Sequence, residues 1–231
     1  MISIIIPVYN EEKTIEKHLN YLKEISREDE CEIIVVDGQS SDNTVKLVKD
    51  LGVKCHLSEK GRAIQMNAGA RISRGDVLYF VHADSYPPST FFYDIHQALN
   101  NGYEAGCYRF KFNSTHPLLK INSYFTRFNR ITYRGGDQTL FIIRSLFNHL
   151  GGFKESYKIM EDFDMIQRIQ DQAKFKIIQK DTIVSARKYE ENNYLKVNFI
   201  NFVVFMMYFA GASQSTMLHA YKSLINNTKF G

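Results

Sequence analysis

The chain opens with the apolar run Ile2-Ser3-Ile4-Ile5-Ile6-Pro7, and the architecture of the next hundred residues follows from it. Because its apolar residues do not alternate with polar ones, both faces of this strand must be covered, as in a parallel sheet between layers of helices. Apolar residues at helical spacing come next, from Ile15 to Ile25, and predict an amphipathic helix that begins near Glu11. The chain therefore starts with a strand and a helix that packs on it.

Strands and helices continue to alternate through the first hundred residues. Further strands are predicted at residues 32–37, 53–57 and 77–81, and further helices after Asp42, over residues 62–72 and after Pro87-Pro88. The order βαβαβαβα predicts a parallel sheet with right-handed crossovers and a ligand crevice at the carboxyl ends of its strands.

The second half of the chain is less regular. Strands are predicted at residues 105–112, 139–143, 175–178 and 182–185, a helix or loop at 118–133, and a helix at 162–171. Gly151-Gly152 predicts a turn where the backbone can approach a ligand closely. We expect one domain over residues 1–231, with a nucleotide-binding half (1–103), an acceptor and catalytic half (104–190) and C-terminal helices (191–231).

Size, charge and cysteine content exclude several classes of protein. The chain has 231 residues, 44% hydrophobic and 23% charged, which is ordinary for one large globular domain and excludes a disordered protein. The formal charge is +4 and the basic residues are scattered, so no nucleic-acid partner is expected. Cys31, Cys55 and Cys107 lack metal-ligand or redox spacing, which favours reduced thiols in a cytoplasmic protein. Met1 is not followed by a signal-peptide pattern, so secretion is not expected.

Two acidic sites lie about eighty residues apart in the sequence. The first is His82-Ala83-Asp84, directly after an apolar strand, and the second is Glu161-Asp162-Phe163-Asp164, where a loop runs into a predicted helix. Strand ends and helix starts open into the same cleft of an α/β sheet. One carboxylate can therefore serve a metal while another takes the proton of a reacting hydroxyl.

Five motifs, in order along the chain, carry a resemblance to a known family. They are Ile5-Ile6-Pro7-Val8-Tyr9-Asn10-Glu11, Val35-Val36-Asp37-Gly38-Gln39-Ser40-Ser41-Asp42-Asn43-Thr44, His82-Ala83-Asp84, Gly152-Phe153 and Glu161-Asp162. Their order and spacing, over roughly the first four fifths of the chain, resemble family 2 glycosyltransferases of the GT-A fold. The compact size and the run Gly136-Asp137-Gln138 further resemble a small bacterial subgroup of that family.

This resemblance implies both a fold and a reaction. The fold is α/β, a Rossmann-like three-layer sandwich with a mostly parallel central sheet and a C-terminal helical segment. The reaction is an inverting transfer from a nucleotide sugar, expected to be a UDP-sugar, to a hydroxyl acceptor that the sequence does not identify. Mn2+ or Mg2+ is the implied cofactor.

The resemblance also implies which residues bind the nucleotide: Pro7, Tyr9, Glu11, Asp37, Arg62, Asn67 and Ala83. The Tyr9 ring and neighbouring backbone can hold a nucleobase, and Asp37 can accept from the imide N–H of uracil. Arg62, at a helix start, can reach a diphosphate. The alternatives are an ordinary strand-to-helix turn at Tyr9, a helix cap at Asp37 and a solvated arginine.

Asp84 and His82 are the metal candidates. Mg2+ or Mn2+ commonly takes one or two carboxylates plus phosphate oxygens, which suits Asp84. The family usually has Asp where this chain has His82. His82 can bind Mn2+, hydrogen-bond the nucleotide or pack as a core histidine, and core packing is the favoured alternative.

Asp162 is the expected general base, because inversion needs a carboxylate on the face opposite the departing diphosphate. Glu161 is expected to orient the acceptor or the base, and the alternative for both acids is stabilisation of the helix dipole. Four further residues are expected near the acceptor or diphosphate: Asp137, Gln138, Gly152 and Arg187. A polar turn is an equal alternative for Asp137-Gln138. The segment around Arg187 is weakly similar to one that closes over the diphosphate in larger polymerising members, but it lacks the glutamine-containing motif, so processive synthesis is not expected.

Residues 199–210 are strongly apolar and aromatic but too short for the roughly 20 residues that span a bilayer. A buried helix or a homodimer interface is favoured, and an interfacial helix resting on lipid is the lesser alternative, consistent with a cytoplasmic protein peripheral to the membrane. Two other functions compete with sugar transfer. A nucleotidyltransferase needs a glycine-rich basic loop where this chain has Tyr9-Asn10-Glu11, and a non-catalytic nucleotide-sugar binder would share the fold.

Overall fold

The computed structural model describes residues 1–27, 29–133 and 138–225. The strands in these ranges are β1 (Ile2–Val8), β2 (Cys31–Asp37), β3 (Lys54–Leu57), β4 (Val77–Phe80), β5 (Ser85–Tyr86), β6 (Ala105–Phe112), β7 (Leu140–Ile143) and β8 (Phe175–Val184). The helices are α1 (Ile15–Ile25), α2 (Thr44–Asp50), α3 (Arg62–Ile72), α4 (Phe91–Asn100), α5 (Pro117–Phe125), α6 (Arg144–His149), α7 (Glu161–Gln172), α8 (Arg187–Glu190), α9 (Tyr194–Phe209) and α10 (Gln214–Leu224), with a 3-10 turn at Ile131–Tyr133.

All of these strands join one mostly parallel sheet in the order β3-β2-β1-β4-β7-β6-β8-β5. The first four strands in this order are parallel, as predicted. β7 runs antiparallel to both β4 and β6 and so joins the two halves of the sheet. Because β1, β2 and β4 run the same way, their carboxyl ends, which carry the predicted site residues, lie along one edge.

Two apolar layers cover the sheet, and β1 contributes to both. Ile5 faces a core formed with α3 and α7, while Ile4 and Ile6 face a core formed with α1, α2 and α4. Every residue of β1 is buried. The three-layer arrangement expected from the unbroken apolar run is confirmed.

The sequence-based elements differ from the structure in several places, and the helices α6 and α8 were not predicted. The helix α1 begins at Ile15 rather than near Glu11, because residues 10–12 are held by side chains of the loop after β2. The strand β5 was not predicted, since two residues give no periodic pattern. The two late strands are one strand, β8, whose register against β6 shifts between Tyr108 and Arg109 and leaves Gln179 and Lys180 outside the pairing.

The helices α9 and α10 pack together and cover Ile159, just before α7. α9 buries Val197, Ile200 and Val204, but its opposite face is exposed, so the expectation that residues 199–210 form a buried helix is only half correct. Within the described part of the chain, no helix has the length and apolar character to cross a membrane.

Candidate active site

The loops that follow β1 and β2 hold each other by hydrogen bonds. The Asn10 backbone N–H donates to Ser40 Oγ at 2.8 Å, and Asn10 Oδ1 accepts from the Ser41 backbone N–H at 2.8 Å. Asn10 and Gln39 have positive φ angles of 52° and 66°. Such conformations cost about 1–3 kcal/mol in non-glycine residues and persist where surrounding contacts fix them. The two strand-end loops therefore form one braced unit at the carboxyl edge of the sheet.

Asp42 ties the same loops together. Its Oδ2 accepts from the Glu12 backbone N–H at 3.1 Å, and its Oδ1 accepts from the Thr44 backbone N–H and hydroxyl at 3.0 and 2.5 Å. Burial acts to raise the pKa of the Asp42 carboxyl, but these hydrogen bonds outweigh burial and hold the pKa below its ordinary value. Asp42 serves the start of α2 as expected, although the N-cap residue itself is Asn43.

Asp37 ends β2 and is completely buried. Its Oδ2 accepts from the Ser40 backbone N–H at 2.8 Å, while its Oδ1 is buried with no hydrogen-bond partner among the residues that the structure describes. A buried acceptor left unsatisfied costs about 1–3 kcal/mol or more for a charged group. Because Asp42 binds the first turn of α2, the Asp37 carboxylate is not needed as a helix cap, and a ligand N–H would stabilise its second oxygen.

The other residues expected around a nucleobase lie at the same strand ends. Pro7 is buried within β1 beside Val36 of β2. Tyr9 follows β1 half-exposed, with Lys60 Nζ 3.8 Å from the centre of its ring, a cation–π contact. Glu11 is buried, and its carboxylate accepts from the Thr14 hydroxyl at 2.8 Å. Lys60 was not predicted, because a single lysine before Gly61 gives no motif.

Arg62 begins α3 as predicted, but its immediate partner is Glu161 of α7. Its Nε lies 2.6 Å from Glu161 Oε1, and the Glu161 side chain is only 1% exposed whereas that of Arg62 is 40% exposed. The close approach is poorly aligned for a hydrogen bond. Glu161 was expected to orient the acceptor or the base. In the structure its carboxylate is buried against Arg62, so it joins the start of α3 to the start of α7.

Asn67 was expected at the nucleotide, and in the structure its side chain is hydrogen-bonded to the segment that leads to α7. Asn67 Oδ1 accepts from the Phe153 backbone N–H at 2.9 Å, and Nδ2 donates to Phe153 O at 2.8 Å and to Glu155 Oε1 at 3.0 Å. Both amide hydrogens are therefore used within the protein. Gly152 lies buried against the same side chain, because a Cβ built on it would come 2.7 Å from Asn67 Oδ1. Gly152 therefore allows a close packing contact with Asn67.

The strand end after β4 and the start of α7 come together in space. His82 Nε2 lies 3.8 Å from Asp162 Oδ2, with the two side chains 13% and 11% exposed. Ala83 is buried and Asp84 is half-exposed in the turn between β4 and β5. Asp84 also lies close enough to the buried His18 to oppose the effect of burial, which lowers the pKa of His18 to about 4. His82 thus faces a carboxylate and is not simply a core residue.

The first turn of α7 is anchored by its third acid, Asp164. Its Oδ1 accepts from Lys154 Nζ at 2.6 Å and its Oδ2 from Arg168 Nε at 2.8 Å. Met160, the N-cap residue, has a left-handed φ of 66°, and its backbone carbonyl accepts from the Asp164 N–H at 3.0 Å. Asp164 therefore has a structural task, and it leaves Asp162 directed at His82.

The structure gives less information on the remaining predicted residues. Asp137 lies outside the described residues. Gln138 is buried, with Oε1 3.9 Å from Cys107 Sγ. Arg187 is half-exposed at the start of α8, where its backbone N–H donates to Ser185 Oγ at 3.2 Å.

The donors gathered here suit a divalent cation only in part. Within the described ranges, no three histidine, cysteine, aspartate or glutamate side chains are grouped closely enough to hold a metal alone. His82 and Asp84 follow β4 two positions apart, and with diphosphate oxygens as further ligands they would suit Mn2+ or Mg2+.

Comparison with known proteins identifies related sequences and folds. A family model described as "Glycosyl transferase family 2" matches residues 3–157. The probable glycosyltransferase YdaM of Bacillus subtilis is 27% identical over 194 residues, which are 73% of this chain and 46% of that protein. The chain spans less than half the length of the curated relatives it matches.

Two solved structures share the fold. Residues 1–349 of S. aureus TarS, solved with UDP-GlcNAc, are 20% identical with a TM-score of 0.67 over 80% of this chain and 58% of that one. The mannosyltransferase PcManGT of Pyrobaculum calidifontis, solved with GDP-Man and Mn2+, is 20% identical with a TM-score of 0.69 over 96% and 69%. These likenesses confirm the predicted GT-A fold.

Proposed function

The chain belongs to glycosyl transferase family 2, and we propose that it moves a sugar from a nucleotide-sugar donor, a UDP-sugar, to a hydroxyl acceptor with inversion at the anomeric carbon. The observation that carries this proposal is the 3.8 Å approach of His82 Nε2 and Asp162 Oδ2. It joins the end of β4, where a donor diphosphate would lie, to the start of α7, where an acceptor would be deprotonated. Known relatives solved with UDP-GlcNAc and with GDP-Man support a nucleotide-sugar donor.

Donor recognition would begin at the braced loops after β1 and β2. Asp37 Oδ1, buried and without a hydrogen-bond partner in the described part of the chain, would accept from the imide N–H of uracil. Tyr9, with Lys60 over its ring, would hold the face of the base. Guanine also presents a ring N–H, so Asp37 alone does not select uracil. We propose that the preference for uracil over guanine comes from the fit of the smaller base against the Tyr9 ring.

The chemical step would need Asp162 as the general base. Its carboxylate would take the proton of the acceptor hydroxyl as the acceptor oxygen bonds to the anomeric carbon and the bond from that carbon to the nucleoside diphosphate breaks. The orientation of this carboxylate would be set by the first turn of α7, and His82 Nε2 lies 3.8 Å away. The Arg62–Glu161 pair and the Asp164 anchor would fix the start of α7, on which that orientation depends.

A divalent cation would be held by Asp84 with the donor diphosphate, and His82 would be its second protein ligand. Bound there, the metal would supply positive charge that stabilises the departing nucleoside diphosphate. Mn2+ or Mg2+ is the proposed ion, and the structure of PcManGT with GDP-Man contains Mn2+.

The test compares Asp162→Asn with Asp171→Asn, an exposed carboxylate at the far end of the same helix. Each protein is incubated with UDP-sugars or GDP-mannose and Mn2+, and release of the nucleoside diphosphate to water is measured beside ligand-induced thermal shifts. Asp162→Asn should lose turnover by about 100-fold or more and keep its thermal shift, whereas Asp171→Asn should keep both. Unchanged turnover in Asp162→Asn would remove the base assignment.

The same measurements separate sugar transfer from the competing functions. A wild-type protein that shows a thermal shift with a nucleotide sugar but never releases its diphosphate is a binding protein. Release of pyrophosphate from a nucleoside triphosphate and a sugar phosphate would instead indicate a nucleotidyltransferase.

A further inference from the structure

Two neighbouring helices carry most of the large apolar side chains that the described residues expose. On α9 these side chains are spaced four and three residues apart and lie opposite its buried face: Leu195, Phe199, Phe202, Met206 and Phe209. On and just after α5 a second set is exposed: Leu118, Ile121, Tyr124, Phe125 and Phe128. Together they make up ten of the fourteen large apolar residues exposed in the described ranges, so the clustering is far from the scatter that is normal on a surface.

The two helices lie side by side. Asn122 Nδ2 of α5 donates to Asn198 Oδ1 of α9 at 3.2 Å, and Tyr194 Oη donates to Asn122 Oδ1 at 2.8 Å. At the end of α5 and just after it, the rings of Tyr124, Phe125 and Phe128 contact one another at the surface. We call this surface the α5–α9 face.

The helices of the α5–α9 face carry cations and no acid. Residues 105–136 and 192–231 contain no aspartate or glutamate. Cations border the apolar side chains: Lys120, Arg130 and Lys196 are exposed, and Arg127 stacks on Tyr124 with its guanidinium carbon 3.8 Å from the ring centre. The nearest acids to α9 in sequence are Glu190, the last residue of α8, and Glu191, which follows it.

We infer that the α5–α9 face docks on an anionic lipid surface. Aromatic and aliphatic side chains would enter the boundary between headgroups and acyl chains, and the bordering cations would contact anionic headgroups. A second copy of the chain is a poorer fit, because a two-fold contact pairs a patch with itself and would bring Lys120 or Lys196 against like charge, while neither α5 nor α9 contains an acid.

The dimensions of α9 suit a helix that lies on a bilayer. Its 16 residues extend for about 24 Å, less than the roughly 30 Å of a hydrocarbon core. α9 also packs on the start of α7, since Phe163 contacts the rings of Phe205 and Phe209. Docking would therefore set the start of α7 close to the lipid, although docking itself does not depend on the proposed transfer reaction.

The test measures sedimentation with vesicles of phosphatidylcholine alone and with about one-third phosphatidylglycerol. Wild type should bind the anionic vesicles at least about tenfold more tightly than the neutral ones. Phe199→Ser with Phe202→Ser should weaken this binding about tenfold or more. The matched control is Tyr93→Ser, since Tyr93 is 66% exposed on α4 and each phenylalanine is 61% exposed. Because all three side chains are exposed, the melting temperature should change little.

A second set of variants tests the role of the bordering cations. Lys120→Glu with Lys196→Glu should abolish the preference for anionic vesicles, whereas Lys17→Glu with Lys46→Glu, exposed on α1 and α2, should leave most of it. No binding by wild type, or equal loss in test and control variants, would overturn the inference. A dimer in solution that is lost in Phe199→Ser/Phe202→Ser, without vesicle binding by wild type, would also overturn it and assign the face to a second copy.

Discussion

Asn67 of α3 and Phe153 hydrogen-bond each other twice across 86 residues of sequence, with the Phe153 N–H donating to Oδ1 and its carbonyl accepting from Nδ2. The side-chain amide of Asn67 pairs with both the N–H and the carbonyl of buried Phe153, as the backbone of a neighbouring strand would. Through this contact α3, which begins at Arg62, is fixed to the chain that leads into α7. The contact between Asn67 and Phe153 thus supports the starts of both α3 and α7, where the candidate site lies.

Asn67→Ala should destabilise the protein by about 2–5 kcal/mol, because two buried backbone groups lose their partner at about 1–3 kcal/mol each. Arg71→Ala is the control. Arg71 is one turn further along α3 and reaches the same loop only through a surface contact with Glu155 at 3.2 Å, worth about 1 kcal/mol or less. Urea unfolding followed by circular dichroism gives both values. Small losses of similar size in the two variants would show that the Asn67–Phe153 hydrogen bonds contribute little to stability.

Gly152→Ala and Gly151→Ala separate backbone strain from packing. Both glycines have positive φ, 75° at Gly151 and 71° at Gly152, but only a Cβ at Gly152 meets another atom, Asn67 Oδ1 at 2.7 Å. Each alanine should lower the free energy of unfolding by about 1–2 kcal/mol because of the left-handed conformation. Gly152→Ala should lower it by about 1–3 kcal/mol more because of the clash. Equal unfolding midpoints in urea would contradict this. The Asn67→Ala/Gly152→Ala pair should be less than additive, because the first change removes the clashing atom.

The sequence predicts the strand ends of the site better than the contacts made across it. A carboxylate after an apolar run marks where a strand ends: Asp37 is the last residue of β2, and Asp84 follows the end of β4 by four residues. The role of Asn67 could not be predicted, since its partner Phe153 is 86 residues away and no local pattern records that contact. The pairing of Glu161 with Arg62 was missed for the same reason.

Asp42→Asn should make the free energy of unfolding depend less on pH in the acid range. Because the pKa of Asp42 is held below its ordinary value of 3.8, its contribution is present above that pH and is lost as the pH falls through the lower folded-state value. Wild type should therefore lose stability more steeply than Asp42→Asn between about pH 5 and pH 3, and at neutral pH the variant should be about 1–2 kcal/mol less stable. Urea unfolding at several pH values measures this. Asp50→Asn, exposed at the other end of α2, should keep the wild-type slope, and an Asp42→Asn slope as steep as wild type would refute the assignment.

Arg62→Ala and Glu161→Gln test whether the pair they form serves stability, ligand binding or both. Breaking a buried ion pair typically costs 3–5 kcal/mol, but Arg62 is 40% exposed, so about 1–3 kcal/mol is expected for Arg62→Ala. Most of this loss comes from the carboxylate left buried, so adding Glu161→Gln to Arg62→Ala should restore part of it. A double-mutant cycle from urea unfolding gives the coupling energy. If Arg62 also contacts the donor diphosphate, the double variant will be nearly as stable as wild type yet show a smaller thermal shift with UDP-sugars. A double variant that regains both stability and the full thermal shift would leave Arg62 with a structural role only.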